Sequence, residues 1–152
     1  MNYAIVFRLL GYILMIEGVL LLLPAVTSLI YAEWAVMGVF LLTAAISAAL
    51  GLGLRTIKPR SKVFYMREGF AATALSWIAI SIVGAVPFVL TGCIPNPVDA
   101  LFETVSGFTT TGASILPAVE GLPNGILFWR SFTHWIGGMG VLVFLLSLLP
   151  LT

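Results

Sequence analysis

Thr109, Thr110, Thr111, Gly112 and Ala113 form a run of backbone carbonyls and hydroxyls with no charged side chain among them. Neutral oxygens of this kind can replace the water shell of a hard monovalent cation, whereas a divalent ion would require several carboxylates in the same loop. Turning adjacent carbonyls to one side needs backbone angles that most residues adopt only at a cost. Gly112 supplies that freedom, and its missing side chain lets neighbouring strands approach one axis. Thr110, Thr111, Gly112 and Ala113 are therefore the candidate ion ligands, with Thr109 in support. Thr-Thr-Gly also occurs in ordinary turns, so the signal depends on its flanks.

The upstream flank is a short helix. Asn96 is a favoured N-cap, Pro97 fits the first helical position and Asp99 brings a carboxylate to the free amides of the first turn. A helix over 97–107 is about 16 Å long and reaches half way through a bilayer. Its C-terminal end, carrying roughly half a negative charge, then points at the residues that follow. A half-length helix running into a polar strand at 109–113 is the layout of a pore loop; the rival reading is a buried structural re-entrant segment.

Such a loop needs spanning helices around it. Of the 152 residues, 61% are hydrophobic and 9% charged, and the mean hydropathy is +1.14, which places the chain among all-α polytopic membrane proteins. A net charge of +1 gives no basic face for nucleic acid. Cys93 has no partner cysteine and no paired histidines, so it is neither a disulfide nor a metal ligand. Apolar segments run from Tyr3 to about Ile30, longer than a crossing requires and so tilted or protruding, and from Ala35 to Leu54. A third covers Gly69 to Leu90 and a fourth about Gly125 to Leu149. Arg55, Lys58, Arg60, Lys62 and Arg67 crowd the second connection, which by the positive-inside rule is cytoplasmic, together with the N-terminus. The expected units are a hairpin at 1–54, a basic cytoplasmic loop at 55–68 and a membrane-pore-membrane unit at 69–152.

Arg8, Glu17, Arg130 and His134 lie within the spans. Arg130 is expected to pair with Glu103 or Glu120 and brace the loop, because an unpaired charge at depth is expensive. Glu17 reads as a carboxylic acid paired with a neighbouring helix, or as part of an ion relay; Arg8 is close enough to a helix end to snorkel to headgroups. His134 reads as a hydrogen-bonded packing residue. Gly137, Gly138 and Gly140 let another backbone come close, and no strand precedes them to support nucleotide binding.

The segments Arg67-Glu68-Gly69-Phe70, Gly84-Ala85-Val86-Pro87-Phe88, Asp99-Ala100-Leu101-Phe102-Glu103, Gly107-Phe108-Thr109-Thr110-Thr111-Gly112-Ala113 and Trp135-Ile136-Gly137-Gly138-Met139-Gly140 resemble the Trk/Ktr/HKT superfamily of potassium transporters, most closely its bacterial TrkH members. The resemblance implies four such units around one pseudo-fourfold pathway, of which this chain would supply two extra N-terminal helices and the first unit, one quarter of the pore. It also implies K+ as the transported ion, since a glycine at the position of Gly112 accompanies potassium permeation and a serine there accompanies sodium. A K+ site at Thr110, Thr111 and Gly112, a homodimer, a cytosolic nucleotide-binding regulatory subunit and a bacterial inner-membrane location follow from the same likeness. The expectation is potassium uptake with no covalent chemistry and no organic cofactor. The alternatives are a short subunit forming a homotetrameric cation channel, and a truncated membrane fragment that does not conduct.

Overall fold

The computed structural model describes residues 2–59, 63 and 65–148. Arg60, Ser61, Lys62 and Phe64 of the expected basic loop, and Leu149 at the expected end of the fourth segment, lie outside them. The described residues form six helices and no strands: α1 (Tyr3–Leu20), α2 (Leu22–Ile30), α3 (Trp34–Arg55), α4 (Met66–Leu90), α5 (Pro97–Phe108) and α6 (Asn124–Leu148). Three spans among the described residues are long and apolar enough to cross a membrane, Tyr3–Ile30, Trp34–Arg55 and Met66–Leu90. α6, like α4, is 25 residues long.

The first apolar segment is not one helix but two, parted at Leu21. The cause is Pro24, which has no N–H to offer the carbonyl four residues back at Leu20 and whose ring crowds it. α1 packs antiparallel along α3. Their backbones meet at Gly11 and Gly51, where an added Cβ on Gly11 would lie 2.7 Å from the Gly51 carbonyl oxygen. In lipid there is no hydrophobic gain from joining two apolar helices, so close backbone contact and interhelical hydrogen bonds hold such a pair. Ser47 Oγ donates to the Leu14 carbonyl at 2.7 Å.

α4 lies against α1, and α5 is wedged between α4 and α6. Trp129 of α6 is fully buried and donates from Nε1 to the Gly84 carbonyl of α4 at 2.9 Å. Phe40, Phe108 and Trp129 meet edge to face, with ring centroids 6.3 and 6.4 Å apart.

Two carboxylates, Glu68 buried and Glu33 half-buried, fix the ends. Glu68 accepts from the backbone N–H groups of Asn2 and Tyr65 at 3.1 and 2.9 Å, bringing the N-terminus and the start of α4 to one end. At the other end Glu33 accepts from the N–H groups of Asn124 and Gly125 and from Asn124 Nδ2, at 2.7, 3.1 and 3.2 Å. A carboxylate on free amides at a helix N-terminus gains from both hydrogen bonding and the helix dipole. Glu33→Ala is expected to cost about 2 kcal/mol and lower the melting midpoint in detergent by about 5 °C. Glu120→Gln, on an exposed side chain with no hydrogen bond among the described residues, should leave that midpoint within about 1 °C.

Glu17 differs from its expectation. It is 4% exposed and neither carboxyl oxygen has a hydrogen-bond partner among the described residues. The helices around it present Ile13, Ile16, Leu20, Ile80, Phe108 and Ile136 to an 80 Å³ cavity, so no neighbouring helix supplies the expected pair.

Candidate functional site

α5 begins as its sequence requires. The Asn96 side chain accepts from the Val98 N–H at 3.0 Å, Pro97 opens the helix and Asp99 sits in the first turn. The helix extends one residue past the expected Gly107, to Phe108, and is about 18 Å long. Its C-terminal turn rests on the middle of α6. A Cβ on Gly137 would overlap the Phe108 carbonyl, and one on Gly107 would overlap the Thr133 hydroxyl. Gly137→Ala therefore must push α5 off α6, at an expected cost of about 1–3 kcal/mol, readable as a lower melting midpoint in detergent.

Beyond α5 the chain turns sharply. The N–H groups of Thr109, Thr110 and Thr111 donate to the carbonyls of Val105, Gly107 and Ser106, each at 2.9 Å, which closes the helix end. Thr110 at φ +57° and Gly112 at φ +79° both occupy the left-handed region. Glycine enters it freely, and threonine at a cost of about 1–2 kcal/mol. Thr109 Oγ1 lies 2.8 Å from Thr111 Oγ1 and donates to the Val105 carbonyl at 2.7 Å. Residues 109–113 are all exposed, and no atom lies within 4 Å of where a Gly112 Cβ would stand.

The loop is anchored from behind by α5 itself. Ser106 Oγ donates to the Ala113 carbonyl at 2.5 Å, so that oxygen is turned towards the helix. Glu103, with 2% of its side chain exposed, collects four donor contacts. Arg130 Nε approaches Oε1 at 2.7 Å, Ser114 Oγ lies 3.1 and 3.0 Å from the two oxygens, and the Ile115 N–H donates to Oε2 at 3.0 Å. Of the two acids open to Arg130 in the sequence, Glu103 is therefore its partner, and among the described residues theirs is the one ion pair. His134 Nδ1 lies 3.0 Å from the Arg130 carbonyl, in keeping with a packing role.

Ser106 and Ser114 carry no ionisable group and were not singled out by sequence. Their signal was position: Ser106 on the buried face of α5, and Ser114 directly after the threonine-glycine run.

Long apolar helices, buried glycine contacts and an ion pair inside the bundle define an α-helical integral membrane protein. Residues 33–152 match the family model of TrkH, described as cation transport protein, and the chain belongs to that family. Among its relatives are an uncharacterized cation transporter of Methanocaldococcus jannaschii, 39% identical over 91% of this chain and 29% of that protein, and the Trk system potassium uptake protein TrkH of Halomonas elongata, 35% identical over 99% of this chain and 31% of that protein. TrkG of Escherichia coli, also a Trk system potassium uptake protein, is 35% identical over 97% of this chain and 30% of its own length. The chain spans about a third of the length of these curated relatives. They are transport proteins, and this is not an enzyme family.

Proposed function

We propose that this chain supplies the first quarter of a potassium pathway. In this reading α4, α5, the 109–113 turn and α6 form one membrane-pore-membrane unit spanning 69–152, and α1 to α3 are the additional N-terminal helices. The carbonyls of Thr110, Thr111 and Gly112 face K+, Thr109 supports them, and Ala113, whose carbonyl is bound by Ser106, helps to hold the curve. The observation that carries the reading is the exposed turn at the tip of a half-length helix, with left-handed Gly112 open to space and Glu103 and Arg130 behind it.

The helix supports the proposal electrostatically. Its C-terminal end contributes about half a negative charge next to the turn, so a cation gains there without a carboxylate that would bind it too tightly to leave. The two ends of the bundle are consistent with a cytoplasmic N-terminus: Glu68 gathers the N-terminus beside the basic loop, and Glu33 gathers the start of α6 at the opposite end. A location in the bacterial inner membrane belongs to the same proposal.

Rubidium uptake into cells that lack their own potassium uptake tests it. Cells carrying a full-length protein in which this chain is joined to the remaining three units should take up Rb+ and grow at low K+. Flux from this chain alone, with a detergent mass near four times 16.3 kDa, would instead mark a homotetramer. Absence of flux from both would mark a fragment that only assembles in the membrane.

A further inference from the structure

We propose that Arg8, Tyr12 and Arg55 form a binding site for the phosphate headgroup of an anionic membrane lipid. The close crossing of α1 and α3 builds it. A Cβ on Gly11 would lie 2.9 Å from the Arg55 backbone nitrogen, so the end of α3 sits beside the third turn of α1. Arg8 and Tyr12 are four residues apart and share one face of α1. The Arg55 guanidinium carbon stands 5.3 Å from the Tyr12 ring centroid.

Neither arginine has a carboxylate partner among the described residues, and Glu68, the acid at this end, is buried and bonded to Asn2 and Tyr65. Depth agrees with the assignment. α3 covers about 33 Å with its 22 residues, enough to cross the hydrocarbon and deliver Arg55 to the interface. α1 runs on past it, so Arg8 stands at headgroup level. Two guanidiniums, whose forks match phosphate oxygens, with a phenol between them make a lipid phosphate the fitting occupant. Exposed Lys58 adds further positive potential at this end, which favours an anionic over a zwitterionic lipid.

The test measures retention of phosphatidylglycerol by the full-length protein, by native mass spectrometry after exchange from mixed phosphatidylglycerol and phosphatidylcholine nanodiscs. Arg8→Gln and Arg55→Gln should each lower retention about 5-fold, and the double variant more than about 20-fold. Arg67→Gln, which removes the same charge elsewhere at that end, should change it less than about 2-fold. Lysine at positions 8 and 55 should recover part of the loss, which separates lost binding from misfolding. An equal loss in Arg67→Gln, full retention in the double variant, no recovery with lysine, or displacement by soluble glycerol phosphate at millimolar concentration would each overturn the proposal.

Discussion

Gly112→Val is expected to reduce Rb+ uptake by the full-length protein at least 100-fold at unchanged expression. Gly112 stands at φ +79°, and a β-branched residue forced there carries a strain of about 1–2 kcal/mol from its own backbone. Relaxation to an extended conformation would flip the peptide and, on the proposed reading, turn its carbonyl away from the ion. If this chain supplies one quarter of a ring, as proposed, that quarter would then no longer match the other three, and one defective quarter suffices to block a single-file path. The space beside Gly112 is open within this chain, so valine meets no neighbour here and the variant should fold. That separates a conduction defect from a stability defect. Gly112→Ser is the milder test, and should retain uptake while raising Na+ flux relative to Rb+ severalfold. Uptake and ion preference both unchanged in Gly112→Val would remove Gly112 from the pathway and with it the reading of 109–113 as the ion site.

How much of this was legible in the sequence varied with the kind of signal. α5 was readable almost to the residue, because Asn96, Pro97 and Asp99 are local capping signals and Gly107 with the threonines is a local stop. The all-helical membrane class was legible from apolar length alone. The break at Leu21 was legible too, through Pro24, but sustained hydrophobicity on either side masked it. Long-range partners were not. Glu33 reaches α6 across 91 residues, and nothing in a turn of two aromatics and an acid declares which helix it caps. Arg130 could meet Glu103 or Glu120 on spacing alone, and burial of Glu103 on the inner face of α5 decides it. Glu17 failed for a related reason. The cost of an unpartnered ionisable group argued for a pair, but the helices that enclose it offer only apolar side chains.

The second large effect is expected at the ion pair. Arg130→Gln leaves Glu103, 2% exposed on its side chain, with the Ser114 hydroxyl and the Ile115 amide as its remaining partners. Removing one member of a fully buried pair costs about 3–5 kcal/mol, because the other charge stays desolvated and uncompensated; with the Arg130 side chain 22% exposed, the expected loss is about 3 kcal/mol. That is a large share of the 5–15 kcal/mol typical of a folded domain, so the melting midpoint should fall by roughly 10 °C or more. The loss should not be confined to stability. Glu103 ties Ser114 and Ile115 to α5 directly after the 109–113 turn, so a displaced carboxylate loosens that turn, and Rb+ over Na+ preference should fall with it. Glu103→Gln alone should be similarly damaging, since it leaves Arg130 as a lone cation within the bundle. The double variant, Glu103→Gln with Arg130→Gln, removes both charges and keeps two side chains able to hydrogen-bond. It should recover at least about 2 kcal/mol relative to the sum of the single changes. Additive single effects would mean that the two residues act separately. Recovery of stability without recovery of ion preference would show that the charge on Glu103, and not only its hydrogen bonds, shapes the turn.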